Sequence, residues 1–343
     1  MNFEQNNKDE DFSNTDKQTN SLRGTATRLS ELLNLDVKFC EVTHGPLLEQ
    51  MVNELQPKEV LLMENTRFED LDNKKESTNN IELGKYWSSL GDIFINDAYG
   101  SSHRAHASTV GMPTYIPSGI GFLVEKEVNA LTEITTNPLH PYIVILGGAK
   151  VVDKIGVIEN LVTKADKILS GGGMAFTFLR ALGYEIGKSI SDDTSLEFCK
   201  KILTEYKEKI VLPIDVVTGL DYNPNTVART CNIDAIRSNE MGMDIGTQTI
   251  NLFKENIINA KTIIWNGPLG VFEFNKFNIG TKQICEALEN SNAKVLVGGG
   301  DSASAVNKLG NKDKYFHIST GGGATLEFLE GKDLPGISVI ENK

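Results

Sequence analysis

Three basic side chains lie close together in the stretch NDAYGSSHRAHAST, residues 96–109. They are His103, Arg104 and His106, in a chain with five histidines and a formal net charge of −12. An arginine fork matches a carboxylate or a phosphate with parallel hydrogen bonds, and histidines add donors and positive charge near neutral pH. Taken alone, such a cluster is also typical of surface loops whose arginines bond carboxylates of their own fold.

Arg67, in the stretch ENTRF, offers a second guanidinium group. This stretch and the histidine-rich stretch each follow a short apolar run that is typical of a buried strand. Parallel strands bring their carboxyl ends to the same edge of a sheet. We therefore predict that Arg67 and Arg104 bind one small carboxylate or phosphate together.

Glycine triplets follow three other apolar runs, at residues 171–173, 298–300 and 321–323. A strand, a glycine turn and a helix together aim unpaired backbone N–H groups and the positive end of a helix dipole at an anion. One triplet is as readily a tight turn, but three in one half of the chain favour a nucleotide site. Neither GxxxxGK[ST] nor GxGxxG occurs, so these motifs leave the nucleotide open.

Polar side chains near the triplets sharpen this interpretation. Asp301 follows the second triplet, where it could cap a helix or coordinate Mg²⁺ through phosphate. Asn266 and Glu273 lie near the turn WNGPLGVFE, and Glu273 could accept hydrogen bonds from ribose hydroxyls. Lys150 and Lys154 would share a helix face if a helix begins there. Such a pair favours a bound anion, with a solvated helix face as the alternative.

The elements that position these residues alternate along the chain. Apolar runs separated by helix-like stretches predict parallel sheets covered on both faces, as two doubly wound α/β domains joined by a helix. FLVEKEVNALTEI reads as that helix, and the two prolines of TTNPLHP end it. We predict a disordered polar segment over 1–20, a first domain with the linking helix over 21–139, and a second domain over 140–343.

Composition argues against several other classes of protein. A pI near 5.0 disfavours nucleic acid as a partner. The four cysteines have no CxxC spacing, which predicts free thiols in a reducing compartment. Without a bilayer-length apolar run or a signal peptide, the cytoplasm is the expected location. A nicotinamide-dependent oxidoreductase would share the fold class but needs fingerprint glycines that are missing here.

Seven stretches together closely resemble the phosphoglycerate kinase family, in the family's order and from about Ser21 to Ile337. They are LLMENTRF, INDAYGSSHRAHAST, ILGGAKVVDKIGVIENL, GGGMAFTFL, WNGPLGVFEF, VGGGDSASAV and HISTGGGATLEFLEGKDLPG. The resemblance implies a glycolytic phosphotransferase that acts reversibly on 1,3-bisphosphoglycerate and ADP, giving 3-phosphoglycerate and ATP. It also implies Mg²⁺ with the nucleotide, the acid on the first domain, the nucleotide on the second, hinge closure and a monomer.

The resemblance also implies roles for individual residues, carried over motif by motif. The residues that bind the acid are Arg67, His103, Arg104 and His106. The catalytic residues are Lys150, Gly300 and Gly323. The residues that bind the nucleotide are Lys154, Gly172, Gly173, Asn266, Glu273, Gly299, Gly300, Asp301 and Ser302, with Asp301 also the metal ligand.

The family's opening motifs, Arg-Val-Asp-Phe-Asn and Ser-His-Leu-Gly-Arg, do not occur in this sequence. We therefore expect a shortened member of the family whose first sheet lacks strands and exposes apolar faces and strand edges. The alternative to an active kinase is an impaired relative that binds nucleotide only.

Overall fold

The structure is a computed structural model that describes residues 14–341. The predicted disordered segment falls partly outside this range, at residues 1–13. Within the described range, Asn14–Thr19 forms a short helix, which corrects the prediction of disorder for those residues. The Nζ of Lys17 lies 6.0 Å from the centroid of the Phe68 ring, and Asn65 Nδ2 donates to the Asn20 carbonyl (3.2 Å). These contacts tie the segment to the fold.

The chain alternates strands and helices, which confirms the α/β class. The strands are β1 (Val37–Cys40), β2 (Val60–Met63), β3 (Phe94–Asn96), β4 (Ser118–Ile120), β5 (Tyr142–Leu146), β6 (Lys167–Ser170), β7 (Ile210–Val211), β8 (Asp215–Gly219), β9 (Arg229–Asn232), β10 (Met241–Ile245), β11 (Thr262–Asn266), β12 (Lys294–Gly298) and β13 (His317–Ile318). The helices are α1 (Asn14–Thr19), α2 (Arg23–Leu33), α3 (Pro46–Asn53), α4 (Asp70–Asn73), α5 (Ile81–Ser88), α6 (Met112–Tyr115), α7 (Phe122–Thr136), α8 (Ile155–Val162), α9 (Met174–Ala181), α10 (Leu196–Glu205), α11 (Thr247–Ile258), α12 (Ile279–Glu289), α13 (Gly300–Leu309), α14 (Gly322–Leu329) and α15 (Pro335–Glu341). No helix within the described range is long and apolar enough to cross a bilayer.

The described residues form two compact units, one of residues 14–124 with 334–341 and one of residues 125–333. In the first unit, β1 pairs in parallel with β2, and β3 pairs in parallel with β4. Across the part of the chain that is described, these are two separate two-stranded sheets, not one doubly wound sheet. Ile93 and Ile95 are 68% and 56% exposed, as expected for a sheet that lacks strands.

The second unit contains a six-stranded parallel sheet in the order β13-β12-β11-β5-β6-β7. All five residues of β5 and of β11 are buried, because helices cover both faces, so β5 and the middle of β11 are apolar. From β5 the chain adds β6 and then β7 on one side of the sheet. It then returns to the other side of β5, where it adds β11, β12 and β13. Ligands of such sheets bind at this switch point, beyond the carboxyl ends of the strands.

The boundaries between the units differ from the predicted ones. Most of α7 belongs to the second unit, where the fully buried Glu127 accepts hydrogen bonds from His317 Nε2, Thr320 N and Thr320 Oγ1, each at 2.7 Å. The residues from 334 onward belong to the first unit. There the Gly336 N–H donates to the Ser102 carbonyl (2.9 Å), and the Gly336 carbonyl accepts from Asn96 Nδ2 (2.8 Å).

We expect Glu127→Ala to lower the free energy of unfolding of the second unit by about 3 kcal/mol, because His317 and Thr320 then lose a buried acceptor. Burial raises the pKa of Glu127, but the hydrogen bonds from His317 and Thr320 outweigh burial, so the pKa is lowered overall. Urea unfolding followed by Trp265 fluorescence in a Trp87→Phe background measures this loss. The control is Glu133→Ala, on the exposed side of α7, which should cost less than about 0.5 kcal/mol. Equal losses in the two variants would contradict the expectation.

Candidate functional site

Arg67 is oriented by the turn that follows β2. It lies in the 3-10 helix Thr66–Glu69, which the Asn65 side chain caps by accepting a hydrogen bond from the Arg67 N–H (3.1 Å). Its Nε lies 2.9 Å from Oδ2 of the buried Asp70, and 27% of the Arg67 side chain is exposed. The fold therefore fixes the direction of this guanidinium group while part of it reaches solvent.

The loop after β3 carries the other predicted acid-binding residues. Thr109 Oγ1 donates to the Arg104 carbonyl (2.6 Å) and accepts from the His106 N–H (3.0 Å), which closes the loop. Arg104 Nε donates to His103 Nε2 (3.3 Å). A π-helical turn, Ala107–Gly111, follows directly. These bonds hold the loop in one shape.

The four basic residues form one electrostatic cluster, because the charges of Arg67, Arg104 and His103 all act on His106. Burial, followed by the charges of Arg67 and Arg104, lowers the pKa of His106 to about 4. His106 is therefore neutral at pH 7, which corrects the expectation that it adds charge near neutrality. It serves as a hydrogen-bonding group within the cluster.

We expect acidification to destabilise the chain through His106. Its pKa in the folded state lies below its unfolded value of about 6.5, so the unfolded state gains protons first as the pH falls. The stability is complete above pH 6.5 and declines towards pH 4, by about 2 kcal/mol at pH 5. Urea unfolding at pH 7 and pH 5 measures this loss. His106→Gln should lose less free energy of unfolding between pH 7 and pH 5 than the wild type does. The wild type should also lose less when sulfate is present. An unchanged loss in His106→Gln would contradict the assignment.

Two glycine turns meet where β5 and β11 end. The Gly147 N–H donates to the Asn266 carbonyl (2.9 Å), and the Gly148 N–H donates to the Pro268 carbonyl (3.0 Å). A Cβ on Gly147 would lie 2.1 Å from the Pro268 carbonyl oxygen, so the close approach of these backbones requires glycine. The two turns form one edge of a cavity of about 210 Å³ in the second unit.

Gly172 and Gly173, predicted as part of the nucleotide pocket, line the same cavity. Gly172 has a φ of +62°, and its N–H donates to the Leu269 carbonyl (3.0 Å). Gly173 is the N-cap of α9. The remaining walls are largely apolar and suit a planar base; they include Phe176, Ile190, Val216, Tyr222 and Leu269.

Polar groups lie at the rim of the cavity. Glu273, predicted to bind ribose, is exposed and lines the cavity, and so does Asp301 in the first turn of α13. No three His, Cys, Asp or Glu residues converge on a metal site in the described part of the chain. A Mg²⁺ ion held by Asp301 would thus take its other ligands from phosphate oxygens and water, which is the usual arrangement for this ion.

Lys154 and the fully buried Asn266 form part of the predicted phosphate site. Lys154 Nζ donates to Asn266 Oδ1, and burial lowers the pKa of Lys154 to about 8. Asn266 Nδ2 is buried with no hydrogen-bond acceptor within reach in the described structure. It would lie 3.3 Å from a Cβ on Gly299, so this donor faces the glycine turn after β12. A phosphate oxygen fits the requirement of such a donor.

Lys150 does not share a helix face with Lys154, which corrects that prediction. Lys150 is exposed and precedes the 3-10 helix Val152–Lys154, and α8 begins only at Ile155. The turn at Gly148, with a φ of +97°, leads the chain away from β5 before a helix can form. The two ammonium groups therefore have different environments.

The turn after β12 places the next group of predicted residues. Gly299 has a φ of +89° and caps α13, whose first residue, Gly300, is exposed. Ser302 is fully buried, and its hydroxyl accepts a hydrogen bond from the Gly267 N–H (2.6 Å). Ser302 thus joins the turn after β12 to the turn after β11.

The third triplet begins α14. Gly321 is the N-cap of this helix, and Gly323 lies in its first turn. The Gly321 N–H lies 3.3 Å from Ser319 Oγ, which is 2.5 Å from Thr325 Oγ1. These bonds fix the start of the helix, where free N–H groups can meet an anion.

Two buried carboxylates near these sites had no place in the sequence prediction. Asp244 lines the cavity and accepts hydrogen bonds from Gly280 N (2.7 Å) and Ile245 N (2.9 Å), and burial raises its pKa to about 8. An acidic residue within the apolar run MGMDI was a visible sign of a buried carboxylate. Glu76 lies among polar residues in NKKESTNN, and nothing in that pattern indicates that it is buried.

Comparisons with known proteins give one result. A family model described as phosphoglycerate kinase matches residues 7–332, which extends the predicted resemblance towards the start of the chain. The phosphoglycerate kinase of Listeria innocua is 55% identical over 329 residues, covering 96% of this chain and 83% of that protein. That of Fusobacterium nucleatum is 55% identical over 332 residues, with the same coverage.

Solved structures agree with the sequence matches. The phosphoglycerate kinase of Coxiella burnetii superposes with a TM-score of 0.83 at 39% identity, covering 94% of this chain and 81% of that one. That of Pyrococcus horikoshii has a TM-score of 0.83 at 32% identity, covering 94% and 82%.

Proposed function

Because the chain belongs to the phosphoglycerate kinase family, we propose that its two groups of donors bind the two reactants of that kinase. The chain is a glycolytic phosphotransferase that acts on phosphoglycerate and nucleotide. In the reaction, the bond between phosphorus and the acyl oxygen of 1,3-bisphosphoglycerate breaks. A new bond forms to a terminal oxygen of ADP, giving 3-phosphoglycerate and ATP.

The basic cluster of the first unit binds the phosphoglycerate. Arg67 and Arg104 supply guanidinium groups for its phosphate and carboxylate, and His103 and His106 supply further hydrogen bonds. His106 is neutral when the site is free, and a bound anion favours its protonation because the repulsion by the arginines is then offset.

The cavity of the second unit binds the nucleotide. The observation that carries this assignment is the buried Asn266 Nδ2, which faces the Gly299 turn beside the Lys154 ammonium group. Phosphate oxygens accept from both groups and from N–H groups at the start of α13. The base lies against Gly172 and Gly173, and Glu273 accepts from the ribose.

The transferred phosphoryl group is stabilised by charge and by backbone donors. Lys150 is exposed and supplies an ammonium group, while Gly300 and Gly323 supply N–H groups from the first turns of α13 and α14. When bound with the nucleotide, Mg²⁺ neutralises phosphate charge, with Asp301 as its protein ligand. The chain acts on these small molecules as a cytoplasmic monomer.

A coupled assay with the purified chain tests this function. ATP and 3-phosphoglycerate are supplied, and the 1,3-bisphosphoglycerate that forms is consumed by a dehydrogenase that oxidises NADH. We expect turnover on the order of 1–100 s⁻¹ that requires both substrates and Mg²⁺. Binding of ATP without NADH oxidation above the enzyme-free rate would instead show a nucleotide-binding protein.

A further inference from the structure

Glu76 is buried at a place where its sequence surroundings are polar. Only 1% of the residue is exposed, although it lies between α4 and α5 in the stretch NKKESTNN. Burying a carboxylate is costly unless hydrogen bonds replace its water. The partners that Glu76 uses therefore show what this burial achieves.

Within the described residues, the hydrogen-bond and ion-pair partners of the Glu76 carboxylate lie in the stretch after β3 that carries His103, Arg104 and His106. Ser108 N donates to Oε2 (3.1 Å), and Ser108 Oγ donates to Oε1. The Nδ1 of His106 lies 3.8 Å from Oε1. The Glu76 carbonyl also accepts from the Ala107 N–H (2.9 Å). Glu76 thus bonds the two residues directly after His106 through two backbone N–H groups and one hydroxyl.

The next residue, Ser77, connects to Arg67 on the other side of the cluster. Both the N–H and the hydroxyl of Ser77 donate to Asp70 Oδ1, at 2.8 and 3.1 Å. The other oxygen of Asp70 lies 2.9 Å from Arg67 Nε. Two consecutive residues therefore support both the arginine after β2 and the histidine after β3.

Electrostatics explains why the cluster needs this support. After burial, the charges of Arg67 and Arg104 are the largest causes of the lowered pKa of His106, so these two arginines oppose a positive charge on His106 when no anion is bound. Asp70 and Glu76 are buried beside the cluster, where Asp70 forms an ion pair with Arg67 and Glu76 bonds Ser108, two residues after His106. A site fixed before the substrate arrives spends less binding energy on ordering its side chains.

We propose that Glu76 is a positioning residue of the phosphoglycerate site, which holds His106 through the adjoining Ala107 and Ser108 and supports the Arg67 side of the cluster through its neighbour Ser77, which bonds Asp70. The inference rests on the proposed function, in which His106 and Arg67 bind the acid. Glu76 does not touch the substrate. Its loss should therefore weaken acid binding through geometry while the nucleotide site of the second unit stays as it is.

Steady-state kinetics of the full-length chain with Glu76→Ala and Glu76→Gln tests the proposal. We expect Glu76→Ala to raise the KM for 3-phosphoglycerate roughly ten- to hundredfold, because a displaced loop misplaces its donors. The KM for ATP should change less than about twofold. Glutamine keeps an oxygen that can accept from Ser108 N, so Glu76→Gln should recover part of the affinity for the acid.

The control is Glu69→Gln, which alters another buried carboxylate of the first unit. The Glu69 carboxylate bonds Thr43 and His44 instead of the histidine loop, so this variant should keep a KM for 3-phosphoglycerate near the wild-type value. An unchanged KM for the acid in both Glu76 variants, or equal changes in both KM values, would overturn the proposal. If Arg67→Ala also leaves the KM for the acid unchanged, the proposed function itself fails. If Arg67→Ala alone raises it, only the role of Glu76 is refuted.

Discussion

Lys154→Met is expected to lower kcat/KM for ATP by roughly 10²- to 10³-fold, because the phosphates lose a charged donor in a buried site. The same change should make the free protein more stable at pH 7. Burial lowers the pKa of Lys154 from 10.5 to about 8, so holding this ammonium group in the fold costs about 3 kcal/mol. Asn266 Oδ1 loses its partner, which costs about 1 kcal/mol, and the net gain is about 2 kcal/mol.

The effect of Lys154 on the free energy of unfolding depends on pH in a direction that can be predicted. The folded pKa of Lys154 lies below its unfolded value, so the unfolded state binds more protons between pH 8 and pH 10.5. The wild type should therefore gain stability across this window, and Lys154→Met should lack that gain in urea unfolding. Lys164→Met, at an exposed lysine of the same unit, is the control and should keep wild-type activity. Lost activity with lower stability in Lys154→Met would contradict the account.

Arg67→Ala is expected to lower kcat/KM for 3-phosphoglycerate by roughly 10²-fold or more, because a charge-assisted pair of hydrogen bonds to the acid is lost. The KM for ATP should remain close to the wild-type value. Asp70 is buried and loses its partner, so the free energy of unfolding should also fall by about 2 kcal/mol. Assays well below the melting temperature separate this loss from the effect on binding.

Arg28→Ala serves as the matched control for Arg67→Ala. Arg28 lies on α2 in the same unit and pairs with Glu31 on the exposed surface, where such pairs contribute little. Its replacement should leave both KM values unchanged. Equal values of kcat/KM for 3-phosphoglycerate in Arg67→Ala and Arg28→Ala would show that Arg67 does not bind the acid.

The sequence was most informative where one physical cause leaves one pattern. The buried parallel strand β5 appears as an unbroken apolar run, as does the middle of β11, and the glycines before α9, α13 and α14 mark the turns after β6, β12 and β13. Spacing in the sequence was less informative about Lys150 and Lys154, because a turn at Gly148 separates their environments.

Features that depend on distant residues could not be predicted from local patterns. The neutral state of His106 follows from its burial and from Arg67, a residue far away in the chain. The burial of Glu76 depends on a loop that comes about thirty residues later. The return of α15 to the first unit depends on contacts of Gly336 with Asn96 and Ser102, which no local sequence signal indicates.

Calorimetric titration of the wild type, Arg67→Ala and Lys154→Met with 3-phosphoglycerate and with MgADP tests most directly whether the two reactants bind separate groups of donors. We predict that Arg67→Ala raises the Kd for 3-phosphoglycerate by at least about 30-fold, or 2 kcal/mol. The Kd for MgADP should stay within about twofold of the wild-type value. Lys154→Met should raise the Kd for MgADP by a similar factor and leave the Kd for 3-phosphoglycerate unchanged. The assignment would be contradicted if each variant weakened the binding of both ligands equally. It would also be contradicted if Arg67→Ala weakened only MgADP binding and Lys154→Met weakened only the binding of 3-phosphoglycerate.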